Sequence, residues 1–212
     1  MASLKALRQH LELLQCSGIN EVFNTPIDKA ARLAELEEKY STCEKCPLHE
    51  NRIKFVYASG DPNAKAMLIG EAPGEQENLI GKPFVGKAGE LLDRMLTAIE
   101  LKREQIYIAN IVKCRPPGNR NPETAERLAC MPYLLEQIRI VKPRVIIMMG
   151  LVAAQTLLTT NESMGALRLR VHSFNDIPVY VTYHPAALLR NPEWKAPAWE
   201  DLQKFRDHYK SI

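Results

Sequence analysis

Four short, nearly continuous apolar runs punctuate the chain: Ala66 to Gly70, Ile106 to Val112 (IYIANIV), Val145 to Gly150 (VIIMMG) and Val179 to Tyr183. None alternates strictly with polar residues, as expected of strands covered on both faces. Between them the apolar positions recur at helical spacing. Leu91, Leu92, Met95, Leu96 and Ile99 mark one helix, ending near Leu101. A second is predicted from about Pro122 to Val141, with Asn121 able to cap it, proline at its first position and Glu123 and Glu126 in its early turns. Leu151 to Leu158 gives a third, and Ala198 to Tyr209 a fourth. Alternating strands and helices predict an α/β protein, three layers (α/β/α) around a central four-stranded parallel sheet, with its site at the carboxyl ends of the strands. Upstream, Leu4, Leu7, Leu11 and Leu14 share one face over residues 3–15, and Ala30, Leu33, Ala34 and Leu36 continue over Asp28 to Tyr40. Residues 1–40 are therefore expected to be a helical extension to a domain over 41–212.

The pattern is interrupted most between the first strand and first helix, where Gly70 to Leu92 reads GEAPGEQENLIGKPFVGKAGELL. Four glycines and two prolines in this loop permit turns that other residues resist, and they let a ligand approach the main chain. A loop this long inside a compact domain usually has a function, and a flat or anionic ligand suits it; a plain surface connection is the alternative.

Composition adds a frame. With 46% hydrophobic and 25% charged residues in 212, the chain is an ordinary globular one. No apolar run approaches membrane-spanning length, and MASLKALRQHLELLQ lacks the parts of a secretory signal, so a cytoplasmic monomer is expected. The net charge of +3 is mild, so affinity for a polyanion must come from local clustering such as Lys113, Arg115 and Arg120.

The cysteines change the picture more. Cys43 and Cys46 form a C-x2-C pair followed by Pro47, Cys114 and Cys130 lie far downstream, and Cys16 stands apart as a small core residue. In a reducing compartment this favours metal over disulfide. Four thiolates suit zinc or an iron-sulfur cluster; because structural zinc typically uses two tight pairs and only one exists here, the spacing favours 4Fe-4S over zinc.

No phosphate-binding GxxxxGK[ST] loop, tight GxGxxG turn or nucleophile elbow occurs, which disfavours nucleoside triphosphatases, nicotinamide enzymes and serine or cysteine hydrolases. What remains is a set of recognisers at strand ends and in the loop: Phe84, Asn110 and His184, with the carboxylates Glu71, Glu75 and Glu77.

GEAPGEQE, GKPFVGKAGELL, IANIVKCRPPGNRNP and YHPAALLRNP, together with Cys43, Cys46, Cys114 and Cys130, resemble the family 4, iron-sulfur, uracil-DNA glycosylases. The likeness runs from about Ser41 to the C-terminus and leaves the first forty residues unmatched. It implies an enzyme that extrudes uracil from DNA, hydrolyses its N-glycosidic bond and leaves an abasic site. Phe84 would stack on the flipped base, Asn110 would read its edge, and His184 would donate to the 2-carbonyl and stabilise the departing anion. Gly70, Ala72 and Glu77 would line the uracil pocket, Glu77 where a thymine methyl would sit. Other glycosylase branches carry an acidic residue near Ala72, so the water-activating role falls to Glu71. Lys113, Arg115, Arg120 and Arg190 would contact phosphates, Leu188 and Leu189 would wedge into the base stack, and the four cysteines would hold a structural 4Fe-4S cluster. The short loop Cys114 to Pro122 contains no histidine, which implies hydrolysis and not covalent capture of the sugar. A rival expectation is a non-catalytic iron-sulfur DNA-binding accessory module, docking to a replication or repair protein through the N-terminal helices.

Overall fold

The computed structural model describes residues 28–212; the helix expected over 3–15 and Cys16 lie outside them. Helix α1 (Lys29–Ser41) starts where the Asp28 carboxylate accepts from the Ala31 amide at 3.1 Å. It buries Leu33 and Leu36, one turn apart, in the same core as the domain that follows. Its Lys29 ammonium donates to the Val141 carbonyl at 2.7 Å. A short turn, Pro47–His49, then carries the chain away from the cysteine pair.

The α/β part follows as β1 (Ser59–Gly60), β2 (Ala66–Gly70), α2 (Glu75–Ile80), α3 (Lys87–Ala98), β3 (Ile106–Asn110), α4 (Thr124–Val141) and β4 (Val145–Met149). It continues as α5 (Leu151–Leu158), α6 (Met164–Arg168), β5 (His172–Phe174), β6 (Ile177–Thr182), α7 (Pro185–Arg190) and α8 (Lys195–Ser211). The strands lie in the order β1-β3-β2-β4-β6-β5. The four expected strands are mutually parallel at the centre, with Gly70 opposite Asn110 and Met149 opposite Thr182 at the carboxyl ends. Two strands not expected from the sequence add antiparallel edges. Both are too short, at two and three residues, for an alternation to register. The β5–β6 hairpin turns on Asn175 and Asp176, both at positive φ, a two-residue turn that matches the twist of its strands.

Side chains divide by parity. Met67, Ile69, Tyr107, Ala109, Ile146 and Met148 face a core closed by α1, α4 and α5, whereas Ala66, Leu68, Ile106, Ile108, Val145 and Ile147 face one closed by α3 and α8. The three layers follow directly. Helix α4 begins later than expected: Asn121 does not cap it and Pro122 does not open it. Glu123 is the N-cap instead, and the Glu126 carboxylate reaches back to it, accepting from the Glu123 amide at 2.7 Å while binding both Arg120 guanidinium nitrogens at 2.7 and 2.8 Å. Among the described residues no helix is long and apolar enough to cross a membrane.

Candidate active site

The carboxyl ends of the parallel strands open into a cleft of about 500 Å³, lined by Glu71, Glu77, Phe84, Asn110 and His184 among others. Residues up to 113 positions apart in sequence are thereby gathered on one floor. Asn110 ends β3 and is 2% exposed. Its Oδ1 is buried with no hydrogen-bond partner, an orphan acceptor that costs about 1–3 kcal/mol until something donates to it. Gly70, its register partner, is small for a reason: a Cβ there would lie 2.4 Å from Asn110 Oδ1 and 2.6 Å from the Phe84 ring.

Phe84 sits at φ +54°, a conformation its side chain resists, and is held there from two sides. Arg103 donates to its carbonyl. Gly89, opening the next helix, leaves room for that same carbonyl, since a Cβ there would come within 1.9 Å of it. The ring is 4% exposed and stacks near His184, with centroids 5.4 Å apart and planes 27° from parallel. A planar slot bordered by Phe84, Asn110 and His184 results.

His184 caps α7: its Nδ1 accepts from the Ala186 amide at 3.1 Å. Acceptance at Nδ1 assigns the proton of the neutral ring to Nε2, leaving one N–H donor for a ligand. Burial, and then the neighbouring Arg190 charge, push its pKa down to about 4 against the pull of Glu77, so the ring is neutral at physiological pH.

The two carboxylates of the loop differ. Glu77 accepts from the amides of Gly74, Val85 and Gly86 at 3.0, 2.8 and 2.9 Å, so it staples the glycine loop that carries Phe84. Glu71, directly after β2, is pushed up to about 7 by burial, opposed by the charge of Arg127. A carboxyl that titrates near neutrality in a cleft is suited to proton transfer.

Of the other residues singled out from sequence, Ala72, Arg120 and Arg190 line the cleft. Arg115 donates to Asn119 at 2.8 Å and pairs with Glu75 at 3.7 Å, as Arg120 pairs with Glu126. Lys113 is a correction. It is fully buried, donating to the Asn110 carbonyl at 2.8 Å and to Gln137 Oε1 at 2.7 Å, so it cannot meet a phosphate. Leu188 is a second correction: at 2% exposure it anchors α7 in the core, whereas Leu189, the next residue, is 44% exposed. One helical step sends the two side chains in different directions.

Sequence reasoning missed Gln137, which holds Lys113 and donates to the Tyr57 carbonyl and the Tyr107 hydroxyl at 3.1 and 3.2 Å. The signal was present: Gln137 lies seven residues after Cys130, on the same buried stripe of α4, where a polar side chain needs a partner. Arg127, which biases Glu71, was missed as well. It is tied to Thr156 and Thr124 at 2.8 and 2.9 Å.

Cys43, Cys46, Cys114 and Cys130 come from three separate stretches and pack in or against the same core as Tyr133; all four are free thiols. Tyr133 donates to Cys43 Sγ at 3.0 Å, and Arg52 binds the Cys43 carbonyl at 2.6 Å while reaching Cys114 Sγ at 3.6 Å. Burial raises the pKa of Cys46 and Cys114 and takes Cys130 up to about 12. Among the described residues no three such side chains are closed into a coordination geometry. The donor chemistry nonetheless fits a soft metal or cluster: four unpaired, partly desolvated sulfurs beside one guanidinium.

A family model for the Uracil DNA glycosylase superfamily matches residues 57–203, which contain the whole cleft floor. The chain belongs to the uracil-DNA glycosylase superfamily. Its relatives include Type-4 uracil-DNA glycosylases from Saccharolobus solfataricus, 42% identical over 81% of this chain and 84% of that protein, and from Pyrobaculum aerophilum, 40% identical over 82% and 92%. A third, from Thermotoga maritima, is 37% identical over 82% and 93%. The six-strand sheet with its helices agrees with this superfamily's α/β fold.

Proposed function

We propose that the chain is a uracil-DNA glycosylase of base-excision repair that receives an extruded uracil between Phe84 and the floor of the cleft. The observation that carries this is the orphan Oδ1 of Asn110, buried where a planar ring would enter. The uracil imide N–H satisfies it, and the Asn110 amide donates to the 4-carbonyl; cytosine presents the opposite pattern at both atoms. The Nε2–H of His184 donates to the 2-carbonyl. As the N-glycosidic bond breaks, its electron pair passes to uracil N1, and the charge that develops spreads to that oxygen, where a neutral, pre-positioned donor stabilises it. Water adds to the cation-like sugar carbon, its proton taken by Glu71; Glu71 releases that proton to solvent and the uracil anion takes one up, leaving free uracil and an abasic site.

Arg120 and Arg190 at the rim supply phosphate contacts, and the exposed Leu189 the wedge. Cys43, Cys46, Cys114 and Cys130 would hold a 4Fe-4S cluster in a structural role, clamping the segment after α1 and the loop before α4 to the core. Four free thiols packed against one core, with Arg52 reaching Cys114 Sγ, support this assignment. Single-turnover release of uracil from single-stranded and U:G duplex oligonucleotides, with anaerobically purified protein and EDTA, tests the activity. Release followed by alkali-sensitive strand breakage is expected; binding without release would leave an accessory DNA-binding module.

A further inference from the structure

Beyond the slot for the flipped base, the mouth of the cleft carries one aromatic that neither core uses. Trp194 ends the turn Pro192–Trp194, lines the cleft along with Ala187 and Arg190, and is 36% exposed. It is absent from both clusters of core side chains. It is nevertheless fixed: its ring stacks on Tyr183 with centroids 4.9 Å apart and planes 24° from parallel. Tyr183 is itself held by the Arg168 guanidinium, 4.7 Å from its centroid. Arg168 in turn binds Asp201 at 2.6 and 2.9 Å and the Pro197 carbonyl. Asp201 is 3% exposed, so the chain of contacts from α8 to the indole is anchored in the interior.

An indole held in place but left open to solvent has already met the ordering cost that binding would otherwise impose. Its π-face accepts any base, and stacking of this kind is sequence-tolerant. Arg190 lines the same cleft and is exposed, so it offers a cation to a backbone phosphate there.

We propose that Trp194 is a stacking platform for the base next to the extruded uracil on the same strand, and that it serves single-stranded DNA. In a duplex that neighbouring base stays paired and stacked, so it is not free to rotate onto the indole; in a single strand it is. The proposal rests on the glycosylase reading of the cleft.

Two measurements test it. In a Trp199→Phe protein, Trp194 is the remaining tryptophan, since the chain has two. Its emission is expected to be quenched by a single-stranded oligonucleotide bearing a tetrahydrofuran abasic analogue flanked by purines, and much less when the flanking positions are abasic as well. In the otherwise native protein, Trp194→Leu is expected to raise the half-saturating concentration of single-stranded substrate by about tenfold. Trp194→Phe should restore most of that loss, and a U:G duplex should respond far less. Equal losses on both substrates, no quenching, or a loss confined to the rate at saturation would overturn the platform; the last would make Trp194 a support for Tyr183 and His184. Failure of the unsubstituted protein to release uracil at all would sink the glycosylase reading instead, and thermal unfolding of each variant separates either outcome from misfolding.

Discussion

Two polar regions meet at Asn110 and are built on opposite terms. Behind the end of β3, the Lys113 ammonium is buried but engaged, with the Asn110 carbonyl and the Gln137 amide as its acceptors, and Gln137 is tied onward to Tyr57 and Tyr107. In front, facing the cleft, Asn110 Oδ1 has no partner and Glu71 is desolvated beside Arg127. The engaged region makes the strand end rigid; the unsatisfied one leaves binding free energy for a ligand that completes it. The same side chain thus has its main chain fixed by one layer and its amide offered to the other. Changes on the cleft side should act on recognition and chemistry, and changes behind it on position.

The sharpest break of this contrast is Asn110→Asp. A carboxylate keeps the shape and loses the fixed donor, so discrimination of uracil over cytosine, on the order of 10⁴ for a site of this kind, should collapse. Uracil release should fall at the same time. Competition between uracil- and cytosine-containing single strands reads the ratio directly; an unchanged ratio would remove Asn110 from the recognition role.

Glu71 gives the next effect. Its working form as a base is the carboxylate, which dominates above a pKa of about 7, so the single-turnover rate should climb through neutrality and level off at higher pH. His184, neutral above about 4, adds no limb in that range. Glu71→Gln should cost about 10²-fold at the plateau and flatten the profile. A rise that persists in the variant would assign the titration to another group.

How far these regions were legible in the sequence differs between them. The cleft side was readable, because the residues that face it interrupt or follow apolar runs: Asn110 is the polar break within IYIANIV, Glu71 follows Ile69-Gly70, and His184 follows Val181-Thr182-Tyr183. The layer behind was not. Lys113 adjoins Arg115 in sequence, and charge clustering alone carries no information about depth; only the turn after β3 sends one side chain inward and the other to the surface. Leu188 and Leu189 were inseparable for the same reason. The slot's packing was also beyond reach, since the positive φ of Phe84 depends on Arg103 and Gly89, two contacts that no spacing rule names. The four cysteines were legible as candidates, because thiol spacing is a property of the chain itself, but the guanidinium of Arg52 that reaches Cys114 was not.

The smallest expected effect is the one that tests the contrast most closely. Lys113→Met removes a buried ammonium whose pKa desolvation holds down to about 8, and leaves the Asn110 carbonyl and Gln137 Oε1 without that donor. Losing each bond costs about 1–3 kcal/mol, while removing a desolvated charge returns part of it, so net stability should fall only modestly, by about 1–2 kcal/mol. That corresponds to a drop in Tm of roughly 2–8 °C for a chain of this length. If the rear layer positions the reader, uracil release should also slow, by about tenfold, since misplacement at a reacting centre is felt in rate. Gln137→Leu should reproduce the slowing. The double variant should be no slower than either single one, because contacts that act as a unit are lost together. Iron content, a readout of the proposed cluster, must be compared across the three proteins, since Lys113 precedes Cys114. Reduced stability with an unaltered rate of uracil release would divide the two regions, leaving Lys113 and Gln137 as a fastening of the fold and Asn110 positioned by the sheet alone.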